Sequence, residues 1–254
     1  MSTTSPTERF TDRVTDYIRY RPGYPTQLLT WLQQQGIASQ CSVADIGAGT
    51  GISSRMFLEA GHPVTIVEPN AAMRHAAEHA LQHFPGFRSL SGTAENTTLP
   101  PASTDLISAA QAFHWFDQEA IKPEWRRILR PGGLVVVYWN SRLLSGNTFL
   151  EGYERLLLEY GTDYSTVAER YNDDESMRRW FGQGFHGMAR LPNHQLLDFD
   201  GLRGRLLSSS YAPKAGHSRY AEMLTALQQL FDNSAINGKV SFDYETRAFI
   251  GTLS

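Results

Sequence analysis

The stretch VADIGAGTGISSR, residues 43–55, decides the fold. Val43 to Ile46 form a short apolar run of strand character. Gly47, Gly49 and Gly51 then alternate with small residues, and Ile52, Met56, Phe57 and Ala60 fall on one helical face ending at Gly61. A strand, a glycine turn and a helix in that order place backbone N–H groups at the carboxyl end of a sheet, in the crevice where open α/β sheets bind ligands. Two familiar uses of such a turn do not fit. A phosphate-binding P-loop needs a lysine after its last glycine, and none follows Gly51. The dinucleotide spacing G-x-G-x-x-G needs glycine where Ile52 stands, whereas the spacing here is G-x-G-x-G with Asp45 two residues ahead of it.

Outward from that turn, residues 42–140 alternate apolar runs with amphipathic stretches, the pattern of βαβ units. Strands are expected at Val43–Ile46, Val64–Val67, Phe87–Leu90, Leu106–Ala110 and Leu134–Trp139. Asn70 is placed to cap a helix that buries Ala72, Met73, Ala76, Ala77, Ala80 and Phe84. Asp117 is placed to cap another with Ile121, Trp125, Ile128 and Leu129 inward, stopped by Pro131-Gly132-Gly133. The rhythm changes after residue 141 to a region of helical pattern at 147–182. Near the chain's end, NGKVSFDYETRAFI places Val240, Phe242, Tyr244, Thr246 and Ala248 on one side behind an Asn-Gly turn, which reads as a final antiparallel edge strand.

Composition narrows the function. With 254 residues, 41% of them hydrophobic, the chain can bury a large core, and a net charge of −3 argues against a broad nucleic-acid surface. The longest strongly apolar run, Leu134–Trp139, is far shorter than the roughly 20 residues of a membrane span. The polar start MSTTSPTERF has no signal-peptide core, and the single Cys41 excludes an intrachain disulfide and a cysteine-rich zinc site. A cytoplasmic protein without membrane or nucleic-acid partners is expected; oligomeric state is left open.

Further along the sheet edge, Glu68 closes the second strand, 21 residues beyond Gly47, where a carboxylate can accept two ribose hydroxyls. Phe113, His114, Trp115 and Phe116 follow the fourth strand at the same edge, and electron-rich rings there suit a cationic ligand and exclude water. The run HAAEH at 75–79 imitates a zinc-peptidase motif, but His75, Glu78, His79 and His83 oppose the alanine stripe and read as a solvated face, so no metal is expected.

These segments together resemble the class I S-adenosylmethionine (SAM) dependent methyltransferases, in particular the type 11 group that includes trans-aconitate methyltransferase-like proteins. DIGAGTG (45–51) resembles the first motif, VEPNAAM (67–73) the second and GTAENTTLP (92–100) the loop around adenine. AAQAFHWFD (109–117) resembles the fourth motif and RILRPGG (127–133) the turn before the fifth strand. YIRYRPGYP (17–25) and LLSSSYAP (206–213) resemble an entry segment and a late loop of the group. The likeness is thinnest at 141–205.

The resemblance implies a doubly wound, mostly parallel seven-stranded α/β sheet of Rossmann-like type with a helical lid and an antiparallel terminal strand. It divides the chain into an N-terminal helical lid segment (1–40), a SAM-binding core (41–140), a mainly helical substrate-side insertion (141–215) and a C-terminal helix and strand completing the sheet (216–254). It implies that Asp45 holds the ammonium group of SAM directly or through water, with Gly47, Ala48, Gly49 and Gly51 along the methionine and ribose. Glu68 and Pro69 would serve the ribose; Met73, Thr93, Ala94 and Glu95 the adenine; and Gln111, Ala112 and Tyr17 the remaining cofactor contacts, while the fork of Arg21 suits the ligand's carboxylate or an acidic substrate, a choice left open. Phe113, Trp115, Tyr20 and Tyr211 would shape the methyl pocket, together with Trp139 at the end of the fifth strand, for which a place in the core is the equal alternative; His114 is the candidate general base, with an aromatic plug as its plainer role. The implied activity is methyl transfer from SAM to a small organic acceptor, leaving S-adenosylhomocysteine. An NAD-type oxidoreductase and a non-catalytic SAM-binding partner subunit are the rival readings.

Overall fold

The computed structural model describes residues 20–164 and 173–253. Its centre is a seven-stranded sheet in the order β3-β2-β1-β4-β5-β7-β6, with strands β1 (Val43–Ile46), β2 (Val64–Val67), β3 (Phe87–Leu90), β4 (Thr104–Ala109), β5 (Leu129–Arg142), β6 (Phe185–Leu197) and β7 (Val240–Gly251). Strands β1 to β5 run parallel, while β7 is antiparallel to both β5 and β6. The chain order reverses between β1 and β4, so the glycine turn after β1 opens at the topological switch point of the sheet.

The parallel strands are apolar on both sides because helices cover both faces. One face packs α1 (Gln27–Gln34), α2 (Ile52–Glu59) and α3 (Ala71–Leu81), joining Leu28, Phe57 and Leu81 to Val43, Ile66 and Val136. The other packs α4 (Ile121–Ile128) and α6 (Asp174–Phe181), joining Trp125, Ile128 and Phe181 to Ile46, Ile107 and Val137. A third cluster gathers α5 (Thr148–Tyr160), α7 (Phe199–Leu207) and α8 (Tyr220–Ser234) around Val240, Phe242 and Tyr244 of β7. Among the described residues no helix is long and apolar enough to cross a membrane.

Local chemistry explains the boundaries. The Asn70 side chain accepts the Met73 N–H at 3.0 Å and caps α3. Asp117 accepts the N–H groups of Glu119 and Ala120 just before α4. Asn237 and Gly238 both take positive φ, 52° and 72°, in the tight turn before β7, whose burial then alternates from Val240 onward.

Three expectations are corrected, and one segment is filled in. The strand β7 is not at the edge: it lies between β5 and β6, and β6 is the edge strand. Within the segment 141–215, expected to be mainly helical, β6 adds thirteen residues of strand that extend the sheet beside α5, α6 and α7. The fifth strand begins at Leu129 and absorbs Pro131-Gly132-Gly133, which therefore sit inside the strand rather than in a loop before it. The buried face of α2 is Ser53, Ser54, Phe57 and Leu58 rather than Ile52, Met56, Phe57 and Ala60. Two serines are turned inward because Asp45 lies beneath them.

Candidate functional site

The glycine turn opens on a cavity of about 590 Å³ lined from two directions. One wall is the carboxyl edge of the parallel sheet; the other comes from the end of β5, from α5 and α7, and from β7.

At the sheet edge the backbone must pass close to side chains. Gly47 has φ +67°, and a Cβ there would stand 2.6 Å from the Ala112 Cβ and 2.8 Å from the Phe116 ring. Glycine satisfies both demands at once. The Glu68 carboxylate reaches across from the end of β2: Oε2 accepts the Gly49 N–H and Oε1 the Asn70 N–H, each at 2.8 Å. Burial pushes its pKa up, opposed by these two bonds and by Arg74. Each oxygen keeps lone-pair capacity toward the cavity. Thr50, also in the turn, lines the cavity with a buried hydroxyl that has no protein partner.

Asp45 is fully buried beneath the turn. Oδ2 accepts the hydroxyls of Ser53 and Ser54 at 2.6 and 2.5 Å, Oδ1 that of Ser108 at 2.8 Å, and Ser108 in turn meets the Tyr138 hydroxyl at 3.1 Å. Burial raises its pKa against these three bonds. Asp45 does not line the cavity; Ser53 does. Any contact of Asp45 with a ligand is therefore relayed, which removes the direct half of the expectation. Gly51 is also set back: with φ +83° it starts α2, where a Cβ would strike Leu81 at 2.6 Å.

Many of the other expected residues line the cavity as a group: Ala48, Gly49, Pro69 and Met73 near the turn, Thr93, Ala94 and Glu95 beside β3, and Gln111, Ala112 and Trp115 after β4. Trp125 fixes the adenine-loop backbone by donating its indole N–H to the Ala94 carbonyl at 3.0 Å. Arg21 and Tyr211 line the cavity too, and Arg21 donates to the Ser208 carbonyl at 2.9 Å. His114 lines it with both ring nitrogens buried and its ring edge-on to Trp139 at 4.8 Å. Burial, then the charge of Arg247, lowers its pKa to about 4.

Three expected pocket residues do not reach the cavity. Phe113 is fully buried against Trp125 and Trp180, with centroids 6.3 and 5.0 Å away. Trp139 is fully buried behind His114, stacked on Phe249 at 5.2 Å. Tyr20 packs its ring against Gly204 of α7 and accepts Gln195 at its carbonyl. Tyr17 lies outside the described residues. The site also holds residues that were not read from the sequence: Arg142, Glu154, Arg205 and Tyr244. One signal was available for Arg205, since Leu202, Arg205, Leu206 and Ser209 share the i, i+3, i+4, i+7 spacing of a buried helix face.

This donor set fits an adenosyl amino acid: a carboxylate for a diol, a bare turn, a flat slot beside Met73 and Ala94, and no lysine or P-loop for phosphates. The sheet order and the switch-point site match the Rossmann-like fold of solved methyltransferases. Residues 44–137 match the family model described as a methyltransferase domain.

An uncharacterised methyltransferase of Mycobacterium tuberculosis (strain H37Rv) is 39% identical over 133 residues, 52% of each chain. The chain thus spans about half the length of the curated relatives it matches most strongly. A solved structure from Anaeromyxobacter dehalogenans, described as a candidate type II methyltransferase, superposes with TM-score 0.69 at 25% identity, covering 92% of this chain and 98% of its own. An N-methyltransferase of Haemonchus contortus, solved with phosphomonomethylethanolamine and S-adenosylhomocysteine, shares the fold with TM-score 0.57 at 16% identity, covering 97% of this chain and 58% of its own.

Proposed function

We propose that this chain transfers a methyl group from SAM to a small organic acceptor. The observation that carries the reading is the shared cavity, in which the Glu68 carboxylate and the bare turn at Gly47–Gly49 face a second wall built from the 141–215 region and β7. When bound, SAM supplies a methyl on a sulfonium, whose carbon–sulfur pair stays with sulfur as the acceptor's lone pair forms the new bond.

The chain's own residues bind and orient. The free lone pairs of Glu68 take the ribose hydroxyls; Met73, Thr93, Ala94 and Glu95 flank the adenine; Asp45 acts on the amino acid end through the Ser53 hydroxyl. Pro69, Gln111, Ala112 and Arg21 complete the cofactor wall. Trp115, Phe116 and Tyr211 keep water from the reacting carbon. His114 is neutral at pH 7, and its lowered pKa makes the ring a weak proton acceptor, so it serves first to pack the pocket. Alignment of two reactants in such a cavity accounts for ~7–11 kcal/mol of a barrier, so no base is obligatory.

Calorimetry with S-adenosylhomocysteine tests the cofactor half. Glu68→Ala should weaken binding by about 1–3 kcal/mol through loss of a charge-assisted pair, and unchanged affinity removes Glu68 from the ribose. Transfer of labelled methyl from SAM across a panel of acids, amines, thiols and phenols tests the other half. Tight binding with no transfer to any of them would leave the partner-subunit reading in place.

A further inference from the structure

The far wall of the cavity contains a cation that no carboxylate among the described residues neutralises. Arg205, on α7, lines the cavity and is only 6% exposed. Its Nε donates to the Tyr244 hydroxyl and one terminal nitrogen to the Ser209 hydroxyl, both at 3.0 Å. The guanidinium lies over the rings of Phe242 and Tyr244, 5.3 and 5.9 Å from their centroids. All these partners are uncharged. Among the described residues no carboxylate pairs with Arg205, whereas Arg142, which lines the same cavity, pairs with Glu154.

A buried charge without a counter-charge is costly, and cation–π contacts offset only part of that cost. The remaining capacity of the guanidinium suits an anionic oxygen group. A second group nearby has the same complement. The Tyr153 hydroxyl is buried with no hydrogen-bond partner, in a side chain 1% exposed. Its electrostatic neighbours are Tyr211, Arg205, Arg142 and Tyr244. A guanidinium with only neutral acceptors therefore lines the wall opposite the glycine turn, and a phenol hydroxyl with no partner among the described residues lies beside it, just behind that wall.

Building on the methyltransferase reading, we propose that the methyl acceptor is a small organic anion whose carboxylate or phosphate is anchored by Arg205, with the Tyr153 hydroxyl as a further donor. The methyl goes to another atom of the same molecule. An oxygen held by a buried guanidinium has its charge neutralised and its lone pairs engaged, which makes it an anchor and a poor nucleophile.

The test uses the full chain saturated with S-adenosylhomocysteine and titrated with succinate, with inorganic phosphate and with uncharged succinamide. At least one anion should bind and succinamide should not; which anion binds separates a carboxylate anchor from a phosphate one. Arg205→Met should weaken that anion about tenfold or more, with the affinity for S-adenosylhomocysteine changed less than about threefold. Three results overturn the proposal: neither anion binds, anion affinity is unchanged in Arg205→Met, or the variant loses S-adenosylhomocysteine instead. Failure of the wild-type chain to bind S-adenosylhomocysteine would count against the methyltransferase reading itself. If Arg205→Met does not fold, Tyr153→Phe, which removes a hydroxyl with no protein partner, reads the same anion. A fall of about threefold is expected there, and an unchanged value overturns the proposal.

Discussion

His114 shows how one side chain ties the site to stability. Unfolded, it titrates near its ordinary value of 6.5; folded, burial and Arg247 bring it to about 4. Between those values the unfolded chain binds a proton that the folded chain refuses. The contribution of this group is fully present above pH 6.5 and falls as pH drops toward 4. Asp45, with its raised pKa, gives the opposite slope, losing stability as pH rises through its folded value, but a His114 variant keeps that slope unchanged. Denaturant unfolding of wild type and His114→Gln between pH 7 and 4 should therefore differ in pH slope by about one proton, wild type being steeper. Equal slopes would mean that the folded ring is charged. At this scale the sequence was legible where spacing fixes position. Gly47 and Glu68 stand at a turn and a strand end whose geometry leaves little choice. Phe113 and Trp139 were misread because a motif names a loop and not the face each side chain takes; both turn from the cavity into the aromatic core.

Among elements, Asn140 joins the two halves of the sheet. At the end of β5 its Oδ1 accepts the hydroxyl of Thr246 on β7 at 2.5 Å and the amide of Asn193 on β6 at 3.1 Å, while its Nδ2 donates to the Gly23 carbonyl at 3.0 Å. Asn140→Leu would strand a fully buried threonine hydroxyl and loosen the entry segment that carries Arg21. A loss of about 1–3 kcal/mol in denaturant unfolding is expected, together with weaker S-adenosylhomocysteine binding. Full stability in that variant would show that the joint is dispensable. The strand β7 was legible from its alternation, whereas β6 was not. FHGMARLPNHQLL has glycine, proline and histidine where apolar residues would alternate, because an edge strand is exposed along much of its length and tolerates Pro192. Its partner β7 lies on its other side and leaves no mark in the local pattern.

For the whole molecule, a ligand that binds only the folded chain stabilises it by mass action. S-adenosylhomocysteine at 100 times its Kd should add about 2.7 kcal/mol, a rise of roughly 5–11 °C in Tm for a chain of this size. NADH should give no such rise. Stabilisation by NADH and not by S-adenosylhomocysteine would favour the oxidoreductase rival and overturn the cofactor assignment. The cofactor wall was readable because it is local, one motif after each parallel strand. The acceptor wall was not, because Arg142, Glu154, Arg205 and Tyr244 meet only through tertiary packing of segments a hundred residues apart.

The interior place of β7 also orders events during synthesis. On a ribosome, β5 and β6 emerge before the strand that must separate them, so each waits with an open hydrogen-bonding edge until residues 240–251 arrive. Tyr244, which steadies Arg205, arrives on that same strand. A nascent chain therefore remains open to mispairing, and lacks the side chain that steadies Arg205, until residues 240–251 have been made, so sheet and cavity wall mature in one step.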